Sequence, residues 1–240
     1  MNIMTWNILA DEYVDNREYE KLNNKYLDRK NRFKNILKIL KDTIPEIILL
    51  QEVMKKEYIF LKKIFNKIYI FSELKYIKWG SSGKSGNIIL IKYNLCNDVK
   101  FFYKENYIYM KCLYKHRKLI VINLHLDDID NNKRKKQIND IMEKINHHLC
   151  IIGGDFNENY SINSNVFNII KQKEFNISNK KYNTYFINKS ENIDNICYRG
   201  FELNKLYIDN KIKDPNIQIK KYGSDHLPII VKLNKKEKFI

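Results

Sequence analysis

The feature that most constrains this sequence is a series of short apolar runs that each end at a polar side chain. Ile47 to Leu50 leads into Gln51 and Glu52, and Ile151 to Gly154 leads into Asp155. Continuous apolar runs of this length are typical of strands that are buried on both faces. The sequence therefore predicts buried sheets whose strand ends carry the polar groups.

Apolar spacing predicts more strands than helices. Helical spacing marks three segments, around Arg29–Lys41, Ile138–Ile145 and Val166–Ile170. The predicted strands are Asn2–Leu9, Ile47–Leu50, Ile68–Phe71, Asn87–Tyr93, Val99–Tyr103, Tyr107–Leu113, Leu119–Leu124, Cys150–Gly153, Ile193–Tyr198, Lys205–Ile208 and Leu227–Leu233. Many strands with helices between only some of them indicate two packed sheets with helices outside. Periodicity alone leaves α+β and layered α/β architectures open.

Length and composition favour one globular domain. The 240 residues suffice for one sizeable core, and 44% of them are hydrophobic. We expect one domain over residues 1–234 and a short basic tail over residues 235–240. The four cysteines lack zinc-finger spacing, and neither a secretory leader nor a membrane-length apolar run is visible. We therefore expect an intracellular monomer with free thiols and no membrane contact, cytoplasmic rather than nuclear.

The net charge of +16 favours a polyanionic partner. A second explanation stays open, because the basic residues are mostly Lys, and Asn, Ile and Tyr are also abundant. All four residue types have A/T-rich codons, so an A/T-rich genome would produce this composition without selection for binding. The positive field attracts a polyanion whatever its origin.

Six strand ends carry side chains that can bind a metal or move a proton. They include Asn7, Glu52, His125, Asp155, Asn157, Asp194, Asp225 and His226. Oxygens of Glu52, Asn7 and Asp225 suit Mg²⁺. A carboxylate such as Asp155 can orient or deprotonate a water, imidazoles can donate to a phosphate, and Asp194 can fix one imidazole's tautomer.

The order of these groups is more specific than any one of them. The series is Trp6-Asn7, Leu50-Gln51-Glu52, Asn123-x-His125-Leu126, Gly154-Asp155-Phe156-Asn157, Ile193-Asp194-x-Ile196 and Ser224-Asp225-His226. It resembles the motif series of the endonuclease/exonuclease/phosphatase superfamily, which has the DNase I-like fold. The matches span nearly the whole chain. The resemblance implies an α+β fold, a two-layer β-sandwich flanked by helices in four layers, α/β/β/α.

The resemblance also implies a metal site. Glu52 binds the catalytic Mg²⁺, for which Mn²⁺ can substitute, and Asn7 lies close by. Asp225 supports this site or a second metal. Arg134 and Gln137 resemble an Arg-x-x-Gln pair that follows the histidine motif in several branches.

The remaining matched residues receive roles at the reacting phosphate. Asp155 positions the attacking water, and Asn157 holds Asp155 and the phosphate. His226 contacts the scissile phosphate and is oriented by Asp194. His125 stabilises the charged transition state.

The N-terminal motif separates branches of the superfamily. Trp6 to Asp11 followed by Tyr13 resembles the deadenylase, nocturnin and 2′-phosphodiesterase group, as does Ser224 to Pro228. Met54 and the pair Asp127-Asp128 depart from that group's pattern. The resemblance implies a Mg²⁺-dependent nuclease, a hydrolase that acts on RNA 3′ ends such as poly(A) or an oligoadenylate, with RNA rather than DNA as substrate.

Three alternatives stay open. A tyrosyl-DNA phosphodiesterase-like DNA repair enzyme is the alternative nuclease. A phosphoinositide or lipid phosphatase of the same superfamily is the second, although Asn192–Cys197 lacks the Trp-Cys-Asp-Arg motif of inositol phosphatases. A non-catalytic nucleic-acid binder is the third, and the presence of Glu52, Asp155 and His226 argues against it.

Overall fold

The computed structural model describes residues 1–14, 19–77, 83–145 and 149–236. Two β-sheets pack face to face, and helices cover both outer faces. Strands that are apolar on both faces produce this arrangement, since one face packs on the other sheet and the opposite face packs on helices. The predicted four-layer α+β sandwich, α/β/β/α, is confirmed.

The first sheet holds the N-terminal and C-terminal strands. Its strands are β1 (Asn2–Asn7), β2 (Ile47–Met54), β3 (Tyr69–Phe71), β4 (Lys75–Tyr76), β5 (Ser85–Lys92), β12 (Phe201–Tyr207) and β13 (Ile229–Lys235). They lie in the order β12-β13-β1-β2-β5-β3, and β4 pairs with β5. β1 and β2 are parallel, so both of their carboxyl ends point to the same edge of the sheet.

The second sheet is built from the middle of the chain. Its strands are β6 (Asn97–Tyr103), β7 (Tyr107–Tyr114), β8 (Arg117–His125), β9 (Leu149–Asp155), β10 (Asn176–Ile177) and β11 (Asp194–Arg199). They lie in the order β10-β11-β9-β8-β7-β6. β8 and β9 are parallel, and the register places Asp155 between His125 on one side and Asp194 on the other.

The helices cover the two outer faces. They are α1 (Asp11–Val14), α2 (Asn24–Leu27), α3 (Arg29–Thr43), α4 (Lys55–Phe65), α5 (Asn131–Glu143), α6 (Asn165–Gln172) and α7 (Pro215–Tyr222). α3 and α4 pack on the first sheet, and α5 and α6 pack on the second. No helix in the described ranges is long and apolar enough to cross a membrane.

Among the described residues, a polar connection crosses the largely apolar interior between the two sheets, and we call it the amide bridge. Gln51 Nε2 donates to Asn123 Oδ1 at 2.6 Å and to Thr5 Oγ1 at 3.2 Å. Asn123 Nδ2 in turn donates to the backbone oxygens of Leu50 at 2.9 Å and Ile88 at 2.7 Å. The bridge joins the two sheets just below the edge at which the predicted site residues lie.

Several elements were not predicted from the sequence. α4 carries Tyr58, Leu61 and Phe65 at helical spacing, and α7 begins with the Asp214 cap and Pro215, so both helices left a signal. α1, α2, β4 and β10 are too short for periodicity to reveal them. β12 begins at Phe201 rather than at Lys205. Residues 237–240 of the predicted tail lie outside the described residues.

Candidate active site

Both sheets bring their polar strand ends to the same edge of the sandwich. β1 ends at Asn7, β8 at His125 and β9 at Asp155, while β11 begins at Asp194. The loop that enters β13 contributes His226, and all five of these residues are buried. Glu52, Asn157 and Asp225 lie beside them, so the structure brings together all eight residues predicted for the site.

An irregularity in β2 aims Glu52 into the site. The pairing of β2 with β5 shifts register between Leu50 and Val53, and Glu52 has a left-handed backbone with φ of 57°. Such bulges redirect a side chain at the end of a strand, and contacts with surrounding residues stabilise the strained backbone. Here Glu52 Oε1 accepts from Asn7 Nδ2 at 2.8 Å, and Oε2 accepts from the backbone N of Ala10 at 2.8 Å.

Asp155 depends on the glycine that precedes it. Gly154 has φ of +151°, and a Cβ at this position would lie 1.9 Å from the backbone oxygen of Leu124 on β8. Any other residue would therefore push β9 away from β8. Glycine lets the two parallel strands stay paired up to the aligned residues His125 and Asp155.

Asp155 is the centre of the hydrogen-bond network. Its Oδ2 accepts from Asn7 Nδ2 at 3.1 Å, and its Oδ1 accepts from the backbone N of Asn157 at 2.9 Å. His125 Nε2 lies 3.5 Å from Oδ2 and His226 Nε2 lies 3.8 Å from it. Burial, together with the neighbouring Asp194, raises the pKa of Asp155 to about 7. A carboxyl with this pKa can accept a proton near neutral pH.

Asn157 supports Asp155 in a way that the motif alone does not reveal. Its side-chain Nδ2 donates to the backbone oxygen of Leu126 at 2.9 Å, so it ties the end of β9 to the segment after His125. Only its backbone N contacts the Asp155 carboxylate. Asn157 has φ of 49°, a left-handed conformation that Asn adopts more readily than most residues.

His226 and Asp194 form an ion pair across the two sheets. His226 Nδ1 lies 2.8 Å from Asp194 Oδ2, and Asp194 is fully buried. Burial alone would lower the pKa of His226, but the carboxylates of Asp194, Asp225 and Asp155 outweigh it and raise the pKa well above 6.5. The imidazole is therefore a cation whose Nε2 faces Asp155.

Backbone contacts hold His226 in place. Trp6 Nε1 donates to its backbone oxygen at 2.9 Å, and its backbone N donates to Ser224 Oγ at 3.1 Å. The Ser224 hydroxyl donates to the backbone oxygen of Asn7 at 2.7 Å. The Tyr185 ring packs against the imidazole with a centroid separation of 5.0 Å. These contacts give the imidazole one orientation.

The second histidine, His125, has the opposite protonation state. Burial, and then the positive charge of His226, lower the pKa of His125 to about 3. His125 is therefore a neutral imidazole at physiological pH. A neutral ring can still donate one N–H, and it adds no repulsion toward the His226 cation.

Glu52 and Asp225 share a region of high negative potential. Burial, and then the charge of Asp225, raise the pKa of Glu52 to about 7. Tyr19 donates its hydroxyl to Asp225 Oδ2 at 2.6 Å. A buried carboxylate whose charging cost is raised by a neighbouring carboxylate is a setting in which a divalent cation is favourable. The donor set around Glu52 therefore fits a hard cation.

A second group of potential metal ligands already contains an ion pair. Ligand atoms of Asp155, Asp194 and His226 lie within 4.8 Å of one another. The 2.8 Å contact between His226 and Asp194 pairs the imidazolium with one of the two carboxylates of this group. The donor set at the Glu52 side of the site therefore fits a divalent cation better than this group does.

The site opens into a cavity of about 600 Å³, which we call the active-site cavity. Its lining includes Tyr19, Tyr185 and Arg134, none of which was predicted as a site residue. Arg134 Nη1 donates to the backbone oxygen of Asp127 at 2.9 Å, and Gln137 Oε1 accepts from the Asp127 backbone N at 3.0 Å. The Arg-x-x-Gln spacing was a signal for these two, whereas Tyr19 and Tyr185 lie in loops without one.

Comparison with known proteins agrees with this geometry. The model of the Endonuclease/Exonuclease/phosphatase family matches residues 4–226, nearly the whole chain. The chain belongs to the endonuclease/exonuclease/phosphatase family. The family assignment and the fold support an enzyme that acts on phosphoester bonds. Among curated protein sequences, none matches this chain significantly.

Solved structures share the fold of this family member at low sequence identity. An endonuclease/exonuclease/phosphatase from Bacteroides vulgatus has a TM-score of 0.75 and 16% identity, covering 98% of each chain. ANGEL2, described as a 2′,3′-cyclic phosphatase in complex with adenosine-2′,3′-vanadate, has a TM-score of 0.77 and 14% identity, covering 97% of this chain and 94% of that chain. D. rerio TDP2, complexed with single strand DNA product, has a TM-score of 0.69 and 17% identity, covering 98% of this chain and 99% of that chain.

Proposed function

We propose that this family member is a Mg²⁺-dependent phosphodiesterase that hydrolyses RNA at 3′ ends, with poly(A) or an oligoadenylate as substrate. The observation that carries the proposal is the continuous chain of contacts from Glu52 through Asn7 and Asp155 to the His226–Asp194 pair. In this proposal Glu52 holds the cation, Asp155 accepts the proton and His226 carries a fixed positive charge, and all three line the same cavity.

The metal would be held on the first-sheet side of the cavity. Glu52 is its principal ligand and Asp225 lies beside it, while Asn7 holds the Glu52 carboxylate through a 2.8 Å hydrogen bond. When bound, Mg²⁺ supplies positive charge to a phosphate oxygen and to the departing oxygen. Mn²⁺ substitutes because it accepts the same oxygen donors.

Asp155 would orient and deprotonate the attacking water. The water oxygen forms the new bond to phosphorus, its proton moves to the Asp155 carboxylate, and the bond from phosphorus to the ester oxygen breaks. A pKa of about 7 makes Asp155 a stronger base than an ordinary carboxylate while much of it stays deprotonated near neutral pH. The hydrogen bonds from Asn7 and from the Asn157 backbone keep the carboxylate in place.

The two histidines would stabilise the charge that develops on the phosphate. Asp194 holds His226 protonated at Nδ1, so Nε2–H is free to donate to a phosphate oxygen. His125 lies on the other side of Asp155 and donates as a neutral imidazole. Because His226 is charged and His125 is neutral, the site keeps one fixed positive charge that no second imidazolium repels.

The substrate class rests on charge and on the motif series. The net charge of +16 favours a polyanion, and the Trp6 to Tyr13 segment resembles the deadenylase-like branch. The likeness to ANGEL2, whose structure contains adenosine-2′,3′-vanadate, supports RNA ends. We further propose that the protein acts as a cytoplasmic monomer on RNA, without membrane contact.

One observation favours a second candidate. The fold is also similar to D. rerio TDP2 complexed with single strand DNA product. A tyrosyl-DNA phosphodiesterase-like repair activity would use the same metal and the same Asp155, His226 and Asp194. The two candidates differ in the leaving group, which is a nucleoside hydroxyl in one case and a tyrosine phenol in the other.

The test compares three substrates with one protein and its variants. End-labelled poly(A), mixed-sequence RNA and 5′-tyrosyl DNA are each incubated with wild type, Glu52→Ala and the exposed control Glu202→Ala, with Mg²⁺ or with EDTA. We expect stepwise, Mg²⁺-dependent shortening of poly(A) that Glu52→Ala abolishes and Glu202→Ala retains. Tyrosine release without RNA shortening would transfer the protein to the second candidate, and no turnover of any substrate would refute both.

A further inference from the structure

A second groove, which we call the basic groove, lies beside the active-site cavity. It has a volume of about 550 Å³. Its lining includes Met54, Lys55, Lys56, Ile59, Tyr76 and Lys84. The groove is therefore formed where α4 begins, between this helix and the short strand β4.

The groove carries positive charge that is not neutralised nearby. Lys55, Lys56 and Lys84 are exposed, and no carboxylate among the described residues lies within ion-pair distance of them. The acidic groups at this face already have partners, since Glu57 pairs with Arg29 at 2.6 Å and Asp11 pairs with Arg32 at 3.3 Å. Three uncompensated cations on one groove favour an anionic polymer.

The backbone at the start of α4 adds to this potential. Met54 occupies the N-cap position and provides no side-chain hydrogen bond, so the first N–H groups of an 11-residue helix are left without a side-chain partner. These N–H groups lie beside Lys55 and Lys56. They reinforce the lysines, which remain the main source of charge.

Two exposed apolar side chains lie among these cations. Tyr76 is 41% exposed and Ile59 is 57% exposed, and both side chains line the groove. Gly86 keeps the Tyr76 wall in place, because a Cβ at this position would lie 2.0 Å from the backbone oxygen of Lys75. An exposed ring among lysines is suited to a base that stacks while its phosphates contact the cations. A duplex hides its bases from such a ring.

The basic groove lies next to the active-site cavity. Glu52 lines the cavity, and Met54, two residues further along β2, lines the groove. A strand with one phosphate at Glu52 would therefore need to extend only a short distance over the surface for its neighbouring phosphates to reach the groove.

We propose that the basic groove binds the single-stranded nucleic acid that flanks the scissile phosphate, with phosphates on Lys55, Lys56 and Lys84 and a base on Tyr76. The proposal rests on the proposed function, since it assigns the path of that same substrate. It adds a site that determines affinity for long strands and leaves the chemistry at Glu52 unchanged.

The test separates strand binding from hydrolysis. Binding of a fluorescent oligonucleotide of about 12 nucleotides is measured by anisotropy in EDTA, as a function of salt. The variant Lys55→Gln/Lys56→Gln/Lys84→Gln is compared with Lys63→Gln/Lys100→Gln/Lys118→Gln, which removes the same charge at exposed positions outside the groove. Turnover of bis(4-nitrophenyl) phosphate with Mg²⁺ reports the chemistry alone.

We expect the groove variant to weaken strand binding about tenfold or more and to reduce the salt slope of log K by about 2, since each lost phosphate contact on a single strand contributes about 0.7. Tyr76→Ala should weaken binding about fivefold without changing the salt slope. The control variant should bind almost as wild type does. All variants should retain turnover of the small substrate.

Two results would overturn the groove assignment. One is equal weakening by the groove and control variants, which would make the charge effect non-specific. The other is unchanged strand affinity in the groove variant. Binding of both proteins to phosphatidylserine vesicles is measured in parallel, and a loss of vesicle binding with unchanged strand affinity would show that the groove contacts an anionic membrane instead. The two proposals can fail separately. If the groove variant alone loses strand binding and the wild-type protein hydrolyses no phosphodiester, the groove assignment stands and the proposed function is refuted.

Discussion

The charging cost of Glu52 gives a quantitative prediction about the metal-free protein. Burial and the neighbouring Asp225 raise its pKa from 4.5 to about 7. This rise corresponds to about 3 kcal/mol of free energy for the charged form. Glu52 is only partly buried and borders an open cavity, so we take about 2 kcal/mol as the contribution to stability after solvent screening.

The sign of the effect follows from the two pKa values. Below pH 4.5 the carboxyl is protonated in the folded and unfolded states, and its burial carries no charging cost. As pH rises from 4.5 to about 7, the unfolded-state carboxyl becomes charged while the folded-state carboxyl stays protonated, so the free energy of unfolding falls. The fall is complete once the folded-state carboxyl is also charged, above about pH 7. For a chain of this size, about 2 kcal/mol corresponds to a fall in Tm of about 4–8 °C.

The assay is the difference in stability between Glu52→Gln and wild type as a function of pH, in EDTA. Glutamine keeps the shape but loses an acceptor for Asn7 or Ala10, which adds an offset that does not depend on pH. We expect the stability of the variant relative to wild type to rise by about 2 kcal/mol between about pH 4 and about pH 8, with most of the change between the two pKa values of Glu52. Mg²⁺ at about 100 times its Kd should stabilise wild type by about 2.7 kcal/mol and leave the variant unchanged.

The result that would refute this reasoning is a difference curve that stays flat across the pH range. A flat curve would mean that the carboxylate is as well solvated in the folded protein as in the unfolded chain. Stabilisation of Glu52→Gln by Mg²⁺ to the same extent as wild type would instead place the cation elsewhere.

Further predictions concern the supports of the site. Gly154→Ala places a Cβ 1.9 Å from the Leu124 backbone oxygen and should lower the free energy of unfolding by about 3 kcal/mol or more, measured with urea. The control Gly153→Ala meets the flexible end of the Leu49 side chain at 2.6 Å and should lower it clearly less. Asp194→Asn should lower the pKa of His226 and reduce kcat about 100-fold or more. The alkaline limb of the pH–rate profile should shift to lower pH, and an unshifted limb would contradict this role of Asp194. Tyr19→Phe removes the 2.6 Å hydrogen bond to Asp225 and should cost about 2 kcal/mol of stability, while equal stability would show that solvent replaces the hydroxyl.

Sequence reasoning indicated two packed sheets because the short apolar runs that form the strands have a clear beginning and end, and the four-layer sandwich was implied by the resemblance of the motif series. Sequence reasoning predicted the eight site residues because each follows or opens such a run, and the strand pairing in the structure gathers them at one edge. It could not yield the bulge that aims Glu52, since the register shift is set by the pairing of β2 with β5. It also missed Tyr19 and Tyr185, whose contacts with Asp225 and His226 arise from loop packing that no periodicity encodes.

The metal assignment shows the same limit. Residue types predicted hard oxygen ligands at Glu52 and Asp225, and the structure adds the charging cost that makes a cation favourable there. The opposite protonation states of His125 and His226 could not be predicted, because they depend on which imidazole lies against Asp194 in three dimensions.

The amide bridge has a consequence for how the protein loses activity on heating. Asn123 lies two residues before His125, and Gln51 directly precedes Glu52, so the cross-sheet hydrogen bonds lie immediately beneath both halves of the site. Sliding one sheet over the other would break these bonds in a dry interior before the cavity could change shape. Inactivation should therefore coincide with global unfolding instead of preceding it, and the slowest-exchanging amides should include those of β2 and β8.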